Sequence, residues 1–116
     1  MNDRGTTVAE LKQLVASFIA EREWGPFHDA KNLSASIAIE AAELMEHFQW
    51  LRNDQLEGVS TDRERAAAIR EEVADILAYL LSFATCMDID LSSALAAKME
   101  KNAKKYPVEK FRGKSG

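Results

Sequence analysis

Two short acidic motifs lie at equivalent positions on two predicted helices. Glu40 and Glu43 form an E-x-x-E motif, and Glu72 and Asp75 form an E-x-x-D motif later in the chain. On a helical wheel with about 100° per residue, each pair lies at the edge of an apolar stripe that is expected to face the core. The two helices therefore present the same acidic arrangement beside their apolar faces.

Four carboxylates that meet in one cleft form a site for a hard divalent cation. If the two apolar stripes pack together antiparallel, the acidic edges meet, and the acids repel one another and lose hydration. Oxygen ligands favour Mg²⁺, with Mn²⁺ as a substitute. Carboxylate di-iron bundles instead use Glu-x-x-His, and neither motif has a histidine at that offset, although His47 lies four residues after Glu43. A single E-x-x-E pair is usually a solvated helix face, so the magnesium prediction depends on the matched pairs.

Aromatic side chains near the first acidic motif are candidates for stacking on a nucleobase. Trp24, Phe27 and His28 lie in a Gly-Pro loop before the second predicted helix, and Trp50 closes that helix. Core or interface packing is the commoner role of each residue taken singly. Loops on a rigid scaffold nevertheless often form binding sites, and aromatic rings stack on bases. Both roles are therefore open at these positions.

Basic and amide side chains on the fourth predicted helix could face phosphates. Lys98, Asn102 and Lys105 lie three or four residues apart on one side of that helix. Lysines near a helix C-terminus also stabilise the helix dipole, which is the simpler explanation for their position.

Four helices must position these residues. Apolar residues recur at helical spacing almost throughout, and the chain has only five glycines and two prolines. Thr7 with Glu10 and Thr61 with Glu64 form capping boxes at two helix starts. The predicted helices are Thr7–Glu23, Asn32–Leu51, Asp62–Met87 and a fourth that follows the N-cap Asp90 and ends near Lys105. The buried stripe of the first helix is predicted to consist of Leu11, Leu14, Val15, Phe18 and Ile19. An all-α bundle without strands is expected.

Length and composition are typical of one globular domain. The 116 residues are expected to form a single domain, ordered over about residues 6–108 and followed by a flexible C-terminal tail. The formal net charge of -4 argues against general nucleic-acid binding, which requires surplus Lys and Arg. No apolar run reaches the length of a membrane span. Cys86 is the only cysteine, so a reducing, cytoplasmic location is expected.

Four segments in order resemble a known family. "REWGPFHDAKNL", "IEAAELMEHFQW", "EEVADILAYL" and "KMEKNAKKYP" are similar to the MazG-like nucleoside triphosphate pyrophosphohydrolases, and in particular to their single-domain dCTP pyrophosphatase branch. The resemblance implies the four-helix bundle of the all-α NTP pyrophosphohydrolases, with a core completed by dimerisation. It also implies a homodimer or a homotetramer built as a dimer of dimers, with sites completed across subunits.

The resemblance implies specific roles for the residues introduced above. The implied magnesium ligands, which also carry catalysis, are Glu40, Glu43, Glu72 and Asp75. The implied substrate-binding residues are Trp24, Phe27, His28, Trp50, Tyr79, Lys98 and Asn102. Some deoxycytidine-selective relatives have a histidine where Val15 stands in this chain, so the preferred base is left open.

The expected reaction converts a nucleoside triphosphate and water into the monophosphate and pyrophosphate. The expected substrate is dCTP or a modified pyrimidine deoxynucleotide, which suits either pool balance or house-cleaning of damaged nucleotides. Positioning and electrostatics would supply most of the rate, and Glu43, Glu46 or Glu71 could accept the proton of the attacking water. The alternatives are a non-catalytic helical module that binds a nucleotide or a partner, and a di-iron oxidase.

Overall fold

Helices make up the computed structural model, which describes residues 1–114. The α-helices are α1 (Val8–Glu21), α2 (Ala30–Glu46), α3 (Arg63–Cys86), α4 (Leu91–Lys105) and α5 (Val108–Phe111), and 3-10 helices span Gly25–Phe27 and Asn53–Gly58. No strand occurs in this part of the chain, so the all-α prediction is confirmed. The helix predicted over Asn32–Leu51 runs instead over Ala30–Glu46. It begins earlier because the N-cap Asp29 accepts the hydrogen bond from the Asn32 N–H at 2.8 Å.

Side-chain caps fix where α1, α2 and α3 begin. The capping box of α1 forms as predicted, with the Thr7 hydroxyl accepting from the Glu10 N–H at 3.1 Å. At α3 the cap lies one residue later than predicted, because the Asp62 carboxylate accepts from the Arg65 N–H at 3.2 Å. The Thr61 hydroxyl instead donates to the Gly58 carbonyl. An acidic N-cap also interacts favourably with the positive end of the helix dipole.

The long helix α3 is the centre of the fold. Both α1 and α2 pack against it, and the buried residues are Leu33 on α2, Val59 before α3, and Leu81 and Ala84 on α3. After α3 the chain bends by 99° into α4. Within residues 1–114 no single helix is long and apolar enough to cross a membrane, and α3 and α4 pass that test only as a bent pair.

The core of the single chain is incomplete. Its radius of gyration is 17.3 Å, whereas a compact domain of this length is expected at about 13 Å. The prediction of a buried stripe on α1 is wrong for the isolated chain: α1 contains no buried residue, and Phe18 is 48% exposed. Leu95 on α4 is 61% exposed. Apolar periodicity identifies the face that avoids water, but it does not say whether this chain or another one covers that face.

The end of the chain folds back in a short hook. The Tyr106 and Phe111 rings meet edge to face, with centroids 5.2 Å apart. The segment that was expected to be a flexible tail therefore begins with the helix α5. Its last two residues, Ser115 and Gly116, lie outside the described residues.

A Schellman motif ends α1 and sets the direction of the following loop. The Glu23 N–H donates to the Ala20 carbonyl at 3.0 Å, and the Trp24 N–H donates to the Ile19 carbonyl at 3.1 Å. This pattern requires a left-handed residue at Glu23, whose φ is 54°. Asp88 adopts the same conformation after α3, with a φ of 52°, and precedes the bend into α4. Neither position has the glycine that usually occupies it.

We expect Glu23→Gly to stabilise the protein. A Cβ atom in the left-handed region costs about 1–2 kcal/mol, and the added flexibility of glycine offsets about 0.5–1 kcal/mol of that gain. The free energy of unfolding from urea titration should therefore rise by about 0.5–1 kcal/mol. The matched control Gln13→Gly lies in the exposed interior of α1 and should lower the free energy of unfolding by about 1 kcal/mol. A loss of stability in Glu23→Gly would contradict the assignment of strain to this position.

Candidate active site

Three of the four predicted acidic ligands converge between α2 and α3. Each of Glu40, Glu43 and Glu72 offers one carboxylate oxygen, and these three oxygens all lie within 4.8 Å of one another. Glu40 and Glu43 are one turn apart on α2, and Glu72 faces them from α3. Because α2 and α3 pack together along their apolar faces, the acidic edges are brought into the same cleft. We call these three residues the acidic cluster.

Two oxygens of the acidic cluster have no hydrogen-bond partner. Oε2 of Glu40 and Oε2 of Glu72 are buried and unpaired within residues 1–114. The pKa of Glu40 is raised above its ordinary value, first because a proton on it can bridge to Glu72, then because burial removes water, and also because of the charges on Glu72 and Asp75. The pKa of Glu43 is raised as well, first by hydrogen bonding to Glu40 and then by the charge on Glu40. Burial and mutual repulsion therefore disfavour the charged forms of these carboxylates, and a cation would relieve both effects.

The acidic cluster fits a divalent cation of the magnesium type. The donors are hard carboxylate oxygens from two helices, and the unpaired oxygens of Glu40 and Glu72 are the kind of buried acceptors that a cation would satisfy. A histidine does not belong to the cluster. The donor set therefore favours Mg²⁺ or Mn²⁺ over iron.

Asp75, the fourth predicted ligand, lies beside the acidic cluster without belonging to it. Its charge contributes to the raised pKa of Glu40, so the two carboxylates are electrostatic neighbours. The exposed side chain of Asp75 also lines an adjacent cavity. Asp75 therefore stands between the acidic cluster and this cavity, and its role as a metal ligand stays a prediction.

The adjacent cavity, which we call the front cavity, has a volume of about 180 Å³ and lies between α1 and α3. Its lining residues are Val15, Phe18, Ile19, Trp24, His28, Asp75, Ala78, Tyr79 and Ser82. Three of the predicted substrate-binding residues, Trp24, His28 and Tyr79, thus lie together next to the acidic cluster. A small cavity with aromatic walls and a few polar groups suits a flat heterocycle.

The His28 ring lies between two aromatic rings. It is nearly parallel to Trp24, with an interplanar angle of 8° and centroids 6.4 Å apart. It is also stacked with Tyr79 at 26° and 6.4 Å. Its Nδ1 atom is buried and has no partner among the described residues. The loop after the α1 Schellman motif therefore presents a pre-arranged aromatic wall to the front cavity.

Behind His28 lies a second space, which we call the rear cavity. It has a volume of about 270 Å³. Its lining residues are Lys12, Ala16, Ile19, Gly25, His28, Ser82, Thr85 and Cys86. Ile19, His28 and Ser82 line both cavities, so the two spaces adjoin along the α1–α3 groove.

Four of the predicted substrate-binding residues lie outside the cavities. Phe27 is 69% exposed and Trp50 is 86% exposed, and neither lines the front or the rear cavity. Lys98 and Asn102 lie on α4, which leaves α3 at 99°. The single chain therefore brings together the acids and the aromatic wall, but not the basic residues of α4.

Sequence reasoning missed the α1 and α3 residues that form the floor of the front cavity. Phe18 and Ile19 were assigned to a buried stripe, and Ala78 and Ser82 were not singled out. The signal was helical spacing, because Asp75, Ala78 and Ser82 follow one face of α3 at intervals of three and four. Small side chains on that face leave room for a cavity.

Comparisons with known proteins agree on the family. Residues 35–115 match the family model described as the MazG-like family. dCTP pyrophosphatase 1 of Bos taurus is 37% identical over 107 residues, covering 92% of this chain. dCTP pyrophosphatase 1 of Homo sapiens is 35% identical over 109 residues, covering 94% of this chain. The chain spans 63% and 64%, respectively, of the length of these two relatives.

A solved structure shows the same fold. The crystal structure of a pyrophosphatase from Archaeoglobus fulgidus matches with a TM-score of 0.81 and 39% sequence identity. The match covers 92% of this chain and 98% of that one. The fold agreement and the family match over most of the sequence lead to one conclusion: this chain belongs to the MazG-like family.

Proposed function

We propose that the protein is a magnesium-dependent nucleoside triphosphate pyrophosphohydrolase that cleaves the α–β phosphoanhydride. The proposed substrate is dCTP or a modified pyrimidine deoxynucleotide. The observation that carries this proposal is the acidic cluster, whose three oxygens lie within 4.8 Å of one another next to an aromatic cavity. Relatives named dCTP pyrophosphatase 1 and a neighbour named a pyrophosphatase support the same reaction.

Different residues of this chain would bind the base and the phosphates. The Trp24 and Tyr79 rings flank His28 and offer faces on which a base can stack, which is worth about 1–3 kcal/mol per base. A base in the front cavity would direct its triphosphate past Asp75 toward the acidic cluster. The cluster would hold Mg²⁺, which offsets phosphate charge and makes water a better nucleophile. The protein thereby orients the α-phosphorus, which is the main requirement of this chemistry.

Hydrolysis needs an acceptor for one proton. Water adds its oxygen to the α-phosphorus, the bond to pyrophosphate breaks, and a carboxylate near the cluster takes the proton. Glu43 is the only one of the three candidate bases whose carboxylate belongs to the acidic cluster, so it is the best placed of them. The side chains of Glu46 and Glu71 are the alternatives.

Assembly into a homodimer or homotetramer would complete both the core and the site. Leu95 and Met99 leave an apolar face on α4 exposed, and such faces mark protein contacts. Lys98 and Asn102 lie on the same helix and are well suited to reach the triphosphate of a neighbouring copy. The single free cysteine, Cys86, is consistent with the proposed cytoplasmic location.

Incubation with magnesium and a panel of nucleoside triphosphates tests the reaction. The expected products are the monophosphate and pyrophosphate, and Glu43→Gln should reduce turnover at least about 100-fold, because outer-shell losses alone cost 10–100-fold. Glu100→Gln on α4 is the matched control and should retain turnover. Release of the diphosphate and phosphate, or binding without turnover, would contradict the proposal and, in the second case, favour the non-catalytic module.

Glu40→Gln should stabilise the metal-free protein at pH 7. The pKa of Glu40 in the folded protein lies above its ordinary value of 4.5, so the folded protein binds this proton more tightly than the unfolded chain does. The contribution of Glu40 to stability is therefore greatest below pH 4.5 and is lost as pH rises through its folded pKa. Gln mimics the protonated acid, so in EDTA the Tm of Glu40→Gln should exceed that of the wild type, with a difference that shrinks toward pH 4.5.

Magnesium should reverse this order of stability. The wild type should gain Tm on adding magnesium, and Glu40→Gln should gain much less because it lacks one charged ligand. The control Glu100→Gln should follow the wild type in both conditions. Equal gains in Glu40→Gln and the wild type would contradict the assignment of Glu40 to the metal site.

Leu95→Lys should break the assembly. Light scattering should give the wild type a mass of two or four times 12.9 kDa and the variant a mass near 12.9 kDa. Turnover should fall in parallel, because the α4 residues leave the neighbouring site. Ala97→Lys adds the same charge on the opposite side of α4 and is the control. A monomeric wild type that retains turnover would contradict the proposed assembly.

A further inference from the structure

The direction of α4 depends on few contacts. Within residues 1–114, α4 packs little against α1, α2 or α3, and it contains no buried residue. It nevertheless leaves α3 at a defined angle of 99°. Lys98 and Asn102, which are proposed to reach a triphosphate, lie on α4, so a change in its direction would displace both. The groups that fix the turn between α3 and α4 therefore matter for the proposed reaction.

The turn between the two helices is centred on Ile89. Its N–H donates to the Ala84 carbonyl at 2.8 Å, and the Asp88 N–H donates to the Thr85 carbonyl at 3.3 Å. Because Asp88 is left-handed, these two bonds form a Schellman motif that ends α3. The next residue, Asp90, is the N-cap of α4. The orientation of the Ile89 carbonyl therefore sets the direction in which α4 begins.

Lys12 on α1 binds this carbonyl. Its Nζ atom donates to the Ile89 oxygen at 2.6 Å, and the contact is partly buried. Every other side-chain hydrogen bond within residues 1–114 joins residues at most five positions apart. A charged donor makes a stronger hydrogen bond than a neutral one, and a cation at the carbonyl end of a helix also interacts favourably with the helix dipole. Lys12 and the Schellman motif together fix both backbone polar groups of Ile89.

We propose that Lys12 is a positioning residue, which sets the direction of α4 through the Ile89 carbonyl and thereby places Lys98 and Asn102 for the triphosphate. The role of the two α4 residues rests on the proposed function. Lys12 itself does not touch the substrate, because its ammonium group binds the backbone of its own chain. A side chain on α1 thus controls a helix that packs little against α1.

The kinetics of Lys12→Met with dCTP and magnesium test the proposal. This variant removes the donor and keeps the length of the side chain. Only a fraction of the molecules should then hold α4 in the binding-competent direction, so KM should rise about tenfold. The kcat should stay within about twofold, because the acidic cluster on α2 and α3 is unchanged. Gln13→Met, at the exposed neighbour on α1, is the matched control and should leave both constants unchanged.

Two further variants distinguish positioning from a general loss of structure. Lys12→Arg keeps a charged donor and should hold KM within about threefold of the wild-type value. Lys12→Gln is one bond shorter and uncharged, and it should raise KM as Lys12→Met does. An unchanged KM in both Lys12→Met and Lys12→Gln would overturn the proposal. A lower kcat at unchanged KM would also overturn it, because that result indicates fewer folded molecules.

A double-mutant cycle tests whether the effect of Lys12 passes through α4. Asn102→Ala should raise KM by itself. Lys12→Met should then raise KM by a smaller factor in Asn102→Ala than in the wild type, because one of the displaced groups is already absent. Factors that simply multiply would contradict the proposed route through α4.

Hydrogen exchange followed by NMR separates this proposal from the proposed hydrolysis. Without nucleotide or metal, the Ile89 amide should exchange about tenfold faster in Lys12→Met than in the wild type, whereas the amides of α2 should keep their rates. Faster exchange, in a protein whose wild type turns over no triphosphate, would support the role of Lys12 and contradict the hydrolysis. Turnover of dCTP with unchanged exchange at Ile89 would support the hydrolysis and overturn the role of Lys12.

Discussion

Repulsion between carboxylates is the constraint on which the rest of the molecule depends. The α2–α3 interface holds Glu40, Glu43 and Glu72 so close that proton sharing and mutual charge raise the pKa of Glu40 and Glu43. A fold that only needed solubility would place these acids apart on solvated faces. Their proximity opposes the charged state of these carboxylates, and a bound divalent cation would relieve that repulsion. The packing of α2 on α3 therefore brings the three carboxylates into repulsion. It also arranges their oxygens so that one cation could contact all three.

The helix α3 connects the acidic cluster to the two cavities. Glu72 faces α2, while Asp75, Tyr79 and Ser82 follow along the helix toward the two cavities. A ligand along this helix would meet charge first, then aromatic surface and then the hydroxyl that separates the cavities. The α1 Schellman motif positions the opposite wall of the front cavity, because Trp24 directly follows its left-handed residue, Glu23. A local backbone feature thus places an aromatic ring opposite a helix that is remote in sequence.

Local signals predicted the helices well, and long-range arrangement less well. Thr7 and Glu10 make the capping box as expected, because that interaction involves neighbouring residues only. The pairs at Glu40–Glu43 and Glu72–Asp75 were visible because three-residue spacing keeps two side chains on one helix face. Periodicity did not reveal that Phe18 lines a cavity, since an apolar side chain looks the same whether it meets a core, a ligand or another subunit. Nor did it reveal that Asp75 turns toward the front cavity, which depends on side-chain direction rather than on helix face.

Under the proposed function, recognition of a base has to use groups other than the residue at position 15. Val15 lines the front cavity and can neither donate nor accept a hydrogen bond. The polar atoms left in that lining belong to His28, Asp75, Tyr79 and Ser82, together with the indole N–H of Trp24. A buried polar site discriminates strongly only when unpaired groups penalise the wrong ligand, and the unpaired Nδ1 of His28 is such a group. His28 also borders the rear cavity, so the same ring lies where the two spaces of the α1–α3 groove adjoin. Under the proposed function, the polar groups available for selectivity therefore lie on the loop after α1 and on α3, rather than on the apolar stripe of α1.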